Sequence, residues 1–164
     1  MKTRRRDPEP KLPPLRSQVV LSDDALLNNY QILSEQTANS CFVLPMVKAN
    51  GYGHGASFCV GVLSEAPQLY GFGVAALEEG REVRQSVRGR FRGRVVVFSG
   101  GEPFTNEVGE YCEYFGLDPV LSSLEGLKNF LKGEWASRLT YHVKFNTGMN
   151  RLGIPMESLA VVEQ

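Results

Sequence analysis

The chain has 164 residues, enough for one domain with a real core, and its 42% apolar content is ordinary for a globular protein. Eighteen basic residues balance eighteen acidic ones, which argues against a nucleic-acid binder or an acidic tail. No apolar run approaches the roughly eighteen residues of a membrane span, and Cys41, Cys59, Cys112, His54 and His142 lack the spacing of a metal site or a disulfide framework, leaving a reducing, cytoplasmic compartment as the simple expectation.

Residues 1–16 hold four prolines, the basic run Arg4-Arg5-Arg6 and little to bury, so a disordered arm is expected. No apolar stretch follows the basic run, so it is no secretory signal. Residues 17–164 then form the folded part. A short strand is expected at 17–21, followed by a helix that Ser22 or Asp23 can cap, with Leu26, Leu27, Tyr30 and Leu33 as its apolar stripe. Strands are expected at 42–47, 70–74, 94–98, 119–121 and 139–145, and helices at 56–63, 76–87, 104–115 and 124–131. This alternation, about 20 to 30 residues per unit, means parallel strands covered by helices. Five such strands complete a flavodoxin-like doubly wound sheet or begin a (β/α)8 barrel of about 250 residues. Length alone favours the complete sheet.

Two stretches carry chemistry. In VKANGYGHG, 47–55, Lys48 follows an apolar run, at the strand edge where both candidate folds gather their active sites. A lysine partly desolvated there supplies the free amine that forms a Schiff base. The glycines after it let backbone amides approach a phosphate, helped by the dipole of the helix from residue 56, and Tyr52 and His54 offer hydrogen bonds within the loop. The plain alternative is a strand-to-helix turn around Asn50-Gly51 with a solvated lysine. In YHVKFNTGMNRLG, 141–153, alternate residues share a face: Tyr141, Val143 and Phe145 on one, Thr140, His142, Lys144 and Asn146 on the other. A polar face of this kind suits the inside of a barrel or an edge strand meeting water. Lys144 and Arg151 flank a tight loop, and two like charges there require an anion between them or a change in one of them. Elsewhere, the six arginines between 81 and 94 are expected to be a solvated helix end and loop. Ser99-Gly100-Gly101 is a weak anion-loop signal, and Glu78-Glu79 suits a helix start without being a catalytic pair.

Together, MVKANGYGHG and HVKFNTGMNRLG, with LSDDALLNN and YGFGVAALEEGREVR in the same order, resemble alanine racemase, a fold-type III pyridoxal phosphate enzyme. The resemblance runs from about Val19 to the last residue. It implies the N-terminal part of a TIM-like barrel, about five βα units and incomplete, rather than a doubly wound sheet. It implies that Lys48 holds pyridoxal 5'-phosphate as an internal aldimine and is one of two proton-transfer bases interconverting L- and D-alanine. Tyr52 matches a tyrosine beside the cofactor phosphate. Arg151 matches an arginine near the cofactor's phenolic oxygen and the substrate carboxylate. Lys144 matches a lysine carbamylated in many members, a change that would make it an anionic partner for Arg151. Asn146 stands where members commonly carry aspartate. The family's ring-stacking histidine, its pyridine-nitrogen arginine and its second base, a tyrosine from the C-terminal β domain of the partner in a homodimer, have no position among these residues. The chain is therefore expected to be a fragment of a longer racemase, with a noncatalytic pyridoxal phosphate-binding module or a truncated, inactive homologue as alternatives.

Overall fold

A computed structural model describes residues 17–37, 41–86 and 91–162; the expected arm at 1–16 lies outside them. Helix α1 (Asp23–Gln36) starts where its cap dictates: the Ser22 hydroxyl accepts the Ala25 amide at 3.2 Å. Its inner face is Leu26, Leu27, Tyr30 and Ser34, one step on from the expected stripe, and Leu33 is exposed. The strand expected at 17–21 does not form. Val19 and Val20 stand in solvent, and no described strand offers these residues a ladder.

The expected strand at 42–47 appears as two parallel bridges, Val43 to Leu69 and Met46 to Gly73. Pro45 sits between them, and a proline cannot donate to a ladder. Beside this segment β1 (Gly71–Val74), β2 (Arg94–Val97), β3 (Asp118–Leu121) and β4 (His142–Val143) pair in sequential order, all parallel. A doubly wound sheet would reverse its order part-way. The sequential order rules out the complete five-strand sheet that length favours and fits the opening part of a barrel.

The strand expected at 139–145 changes partner at Lys144. The Lys144 amide donates to Leu121 O at 2.9 Å, and Lys144 O accepts the Ile154 amide at 2.8 Å. There β5 (Phe145–Asn146) pairs in parallel with β6 (Ile154–Pro155). A 3-10 turn (Met156–Ser158) and α8 (Leu159–Val162) follow.

Between the strands run α3 (Ala56–Leu63), α4 (Leu77–Ser86), α5 (Asn106–Phe115), α6 (Leu124–Lys132) and the short α7 (Trp135–Arg138). None of the described helices is long and apolar enough to cross a membrane. They pack on one face of the sheet. Val47, Phe72, Val74, Val95 and Val97 meet Val60, Leu63, Val83 and Cys112 in one cluster. Leu121 meets Phe104, Leu127, Phe130 and Trp135 in a second, which Tyr141, Val143 and Phe145 join. The opposite face carries Leu44, Val96, Phe98 and Val120. A methyl on Gly73 would stand 2.3 Å from Met46 Sδ, so glycine there lets Met46 fill the space beside it.

At the amino-terminal edge of the sheet, Arg84 departs from the solvated helix end expected of 81–94. Its guanidinium donates to the carbonyls of Phe115 (3.0 Å), Phe91 (3.2 Å), Gly93 (2.7 Å) and Gly116, tying the end of α4 to the lead-in of β2 and the end of α5. Arg94 pairs with Asp118 at 2.9 Å. Arg88 and Arg90 lie outside the described residues.

Replacing Arg84 by methionine removes the donor to four carbonyls in one step. The expected loss of stability is about 2–4 kcal/mol, with Arg84→Lys intermediate, measured by denaturant unfolding. Midpoints matching the wild type would mean that water satisfies those carbonyls equally well.

Candidate functional site

The chain leaves the sheet after Val47, whose amide is held by Gly73 O at 2.8 Å, and turns at once. In α2 (Lys48–Tyr52), a single turn, the interior is left-handed: φ is 50° at Ala49, 52° at Asn50 and 64° at Gly51. Tyr52 follows with φ 52°, and Gly53 and Gly55 with 86° and 89°. Left-handed backbone costs roughly 1–2 kcal/mol per residue bearing a Cβ, so Ala49 and Tyr52 are held there against preference. The glycines relieve it where they stand. A methyl on Gly51 would also meet Cys59 Sγ at 3.1 Å and Ala56 N at 3.3 Å.

The turn binds itself. Gly51 N donates to Val47 O (2.8 Å), His54 N to Gly51 O (3.0 Å), Gly55 N to Asn50 O (2.8 Å), and Gly53 N to Ala49 O (3.1 Å). The Asn50 carboxamide accepts the Ala56 amide at 2.8 Å at the start of α3, and His54 Nδ1 lies 3.0 Å from Gly51 O. These amides are therefore committed inside the loop. The expectation that this loop offers them as a phosphate cradle is corrected: they are spent on the turn itself, and one side chain leaves it at the sheet edge. That side chain is Lys48, half-buried, with Nζ 5.7 Å from the centre of the exposed Tyr52 ring.

Glu79, in the first turn of α4, holds the turn from the neighbouring unit. Its Oε1 accepts the Ala49 amide at 2.7 Å, and its Oε2 accepts the Ala75 and Ala76 amides at 2.7 and 3.2 Å. Partial burial raises its pKa. The three amides and the Lys48 charge outweigh that and hold the carboxyl below its ordinary value. The clamp's contribution to stability is thus present above the ordinary carboxylate range and lost as pH falls through the lowered value.

The second stretch ends the arc of strands. His142 and Lys144, with Leu44, Val96, Phe98 and Val120 from neighbouring strands, line a cavity of about 340 Å³ on the face away from the helices. The ring of His142 meets Tyr70 edge-on at 6.2 Å, and its Nε2 is buried with no hydrogen-bond partner. The polar face expected of this strand therefore lines the inside of the sheet's arc. Asn146 organises the loop beyond: its Oδ1 accepts the amides of Gly148 (3.2 Å) and Asn150 (3.0 Å), and its Nδ2 donates to Asn150 Oδ1 (2.8 Å).

Lys48 and Tyr52 are thus brought together, at one end of the strand order, and Lys144 at the other. Arg151 is exposed, and no hydrogen bond or ion pair joins it to Lys144 among the described residues. The two stretches thus lie at the two ends of the described parallel strand order. The sequence places Asn50 in a turn pair and Glu79 at a helix start, as found, but gives neither its distant amide partner. The signal available for Glu79 was its place in a helix start five residues after the end of a buried strand, where a carboxylate reaches back to free amides.

The comparisons agree with this geometry. The family model described as alanine racemase, N-terminal domain, matches residues 21–164. An alanine racemase of Geobacter sulfurreducens is 36% identical over 135 residues, 81% of this chain and 34% of that protein. The alanine racemase of E. faecalis superposes with a TM-score of 0.72 at 25% identity, covering 86% of this chain and 38% of that one. That of Bartonella henselae, whose crystal structure has covalently bound pyridoxal phosphate, superposes with 0.69 at 22% identity, covering 85% and 38%; at that identity the likeness speaks for the fold. The chain spans about a third of the length of the curated relatives it matches. By the extent of the match and the order of its strands, this chain belongs to the alanine racemase N-terminal domain family.

Proposed function

We propose that residues 17–164 are the N-terminal, cofactor-binding part of an alanine racemase barrel, that Lys48 holds pyridoxal 5'-phosphate covalently, and that the whole protein interconverts L- and D-alanine as a homodimer in the cytoplasm. The observation that carries the proposal is a primary amine on a strained, self-bonded turn at the carboxyl edge of a parallel sheet, where barrel enzymes gather their reacting groups.

The donor set fits the cofactor. Lys48 supplies an amine for its aldehyde, Tyr52 a phenol beside that amine, and the cavity on the inner face an apolar wall. When bound, pyridoxal phosphate acts as an electron sink for negative charge at the substrate Cα.

The chain's own residues then divide the remaining tasks. The Lys48 amine, when free, would take the Cα proton from one face and return one there in the reverse direction. Tyr52 donates to the cofactor phosphate. Arg151 binds the substrate carboxylate. Inversion requires a second acid on the opposite face, and the resemblance assigns that role to the partner subunit. Lys144, carbamylated, becomes the anion that Arg151 needs beside it. The cavity wall keeps water from the reacting carbon.

Lys48→Ala, made in the intact protein, is expected to abolish the pyridoxyl label left on the wild type by cofactor and borohydride, and to lower racemisation by on the order of 10³-fold. A wild type that is labelled on Lys48 but racemises nothing would be a noncatalytic cofactor-binding module. A wild type without label would sink the proposal.

For Lys144, protein equilibrated with ¹³C-bicarbonate is expected to show a carbamate carbonyl resonance that Lys144→Ala removes. A resonance unchanged in the variant, or none in the wild type, would refute carbamylation.

A further inference from the structure

The Lys48 turn has little packing of its own: Ala49 and Asn50 are exposed, and Tyr52 is 59% exposed. Two bonds from the neighbouring unit bracket the lysine instead. On its amino side, Gly73 O holds the Val47 amide at 2.8 Å. On its carboxyl side, Glu79 Oε1 holds the Ala49 amide at 2.7 Å.

If Glu79 were only a helix cap, its Oε2 alone would serve, since that oxygen takes the Ala75 and Ala76 amides that open α4. The bond to Ala49 is surplus to capping. It crosses from the turn after β1 to the turn after the preceding strand, 30 residues earlier in the chain. Both oxygens are engaged by backbone amides.

We infer that Glu79 is a positioning residue for Lys48: by fixing the Ala49 amide it sets the direction in which the lysine side chain leaves the sheet edge, and so where its amine stands. This rests on the role proposed for Lys48. The physical basis is that a reacting amine displaced by about an ångström can lose on the order of 10²-fold in rate. A turn held in left-handed backbone relaxes readily once a restraint is removed.

The test uses the intact protein as wild type, Glu79→Gln and Glu79→Ala. Glutamine keeps one carbonyl oxygen and so can link the turns or cap the helix, but not both. Two readouts are taken: amide hydrogen exchange over residues 49–53 in the cofactor-free protein, and the rate at which borohydride traps pyridoxyl on Lys48 at saturating cofactor. The expected result for Glu79→Ala is exchange over 49–53 and loss of trapping rate each changed by about tenfold or more, with the interior of α4 still protected. Glu79→Gln should lie between.

If only the first amides of α4 lose protection, while residues 49–53 and the trapping rate match the wild type, Glu79 is a cap and the inference is overturned. A wild type without label defeats the proposed function, and exchange over 49–53 then still decides whether Glu79 holds the turn. Should Glu79→Ala not fold, Glu79→Gln carries both readouts.

Discussion

A buried parallel strand that ends on a lysine at a sheet edge faces one constraint above others. The chain must leave the sheet and enter a helix within a few residues, while the lysine stays where the strand aimed it. The left-handed path of residues 49–52 meets that constraint by coiling the chain back on its own strand end, so that Gly51 N reaches Val47 O. The conformational cost falls on Ala49 and Tyr52, and it is offset by hydrogen bonds from within the turn and by the carboxylate of Glu79. A turn built this way has one conformation. A looser loop of the same composition would have many, and the amine would be spread over all of them.

The sheet behind the turn explains how the two motifs, a hundred residues apart, come to stand on one curved sheet. Sequential parallel strands put every helix on one side, so the other face is free to curl around an interior. On the helix side the strands are uniformly apolar, from Val47 to Leu121. In the inner cavity the lining is apolar at Leu44, Val96, Phe98 and Val120, and its polar side chains are His142 and Lys144. A buried imidazole nitrogen without a partner is costly, on the order of 1–3 kcal/mol. The Nε2 of His142 is in that position on the inner face, with no hydrogen-bond partner among the described residues.

The features legible in the sequence were those that follow from local chemistry. The helix at 56–63 matches its expected bounds, and Ser22 caps α1 because a short oxygen side chain preceded a helical pattern. Features that depend on a distant partner were not legible. Residues 17–21 have strand composition but no neighbour to pair with. Pro45 breaks a run whose apolar content alone reads as continuous strand. Arg84 sits in what looks like a solvated basic run, and only the fold brings the carbonyls of residues 91, 93, 115 and 116 around it. Lys48 announces itself because its chemistry is in its own side chain and glycine-rich context. Glu79 does not, because its partner amide belongs to a turn 30 residues away.

The same device recurs one unit along. Glu102, following β2, takes the amides of Ser122 and Ser123 at 2.8 and 3.2 Å and the Ser123 hydroxyl at 2.9 Å, in the turn after β3. Gly126 makes room for it, since a methyl there would lie 2.2 Å from Glu102 Oε2. Twice, then, a carboxylate from one βα turn ties down the backbone of an adjacent one. Apolar packing, which orders the helices and the far ends of the strands, would order these turns only by covering them. A carboxylate accepting two or three amides is strong enough to fix backbone and small enough not to cover it. A site that must be rigid and accessible at once has few other ways to be both.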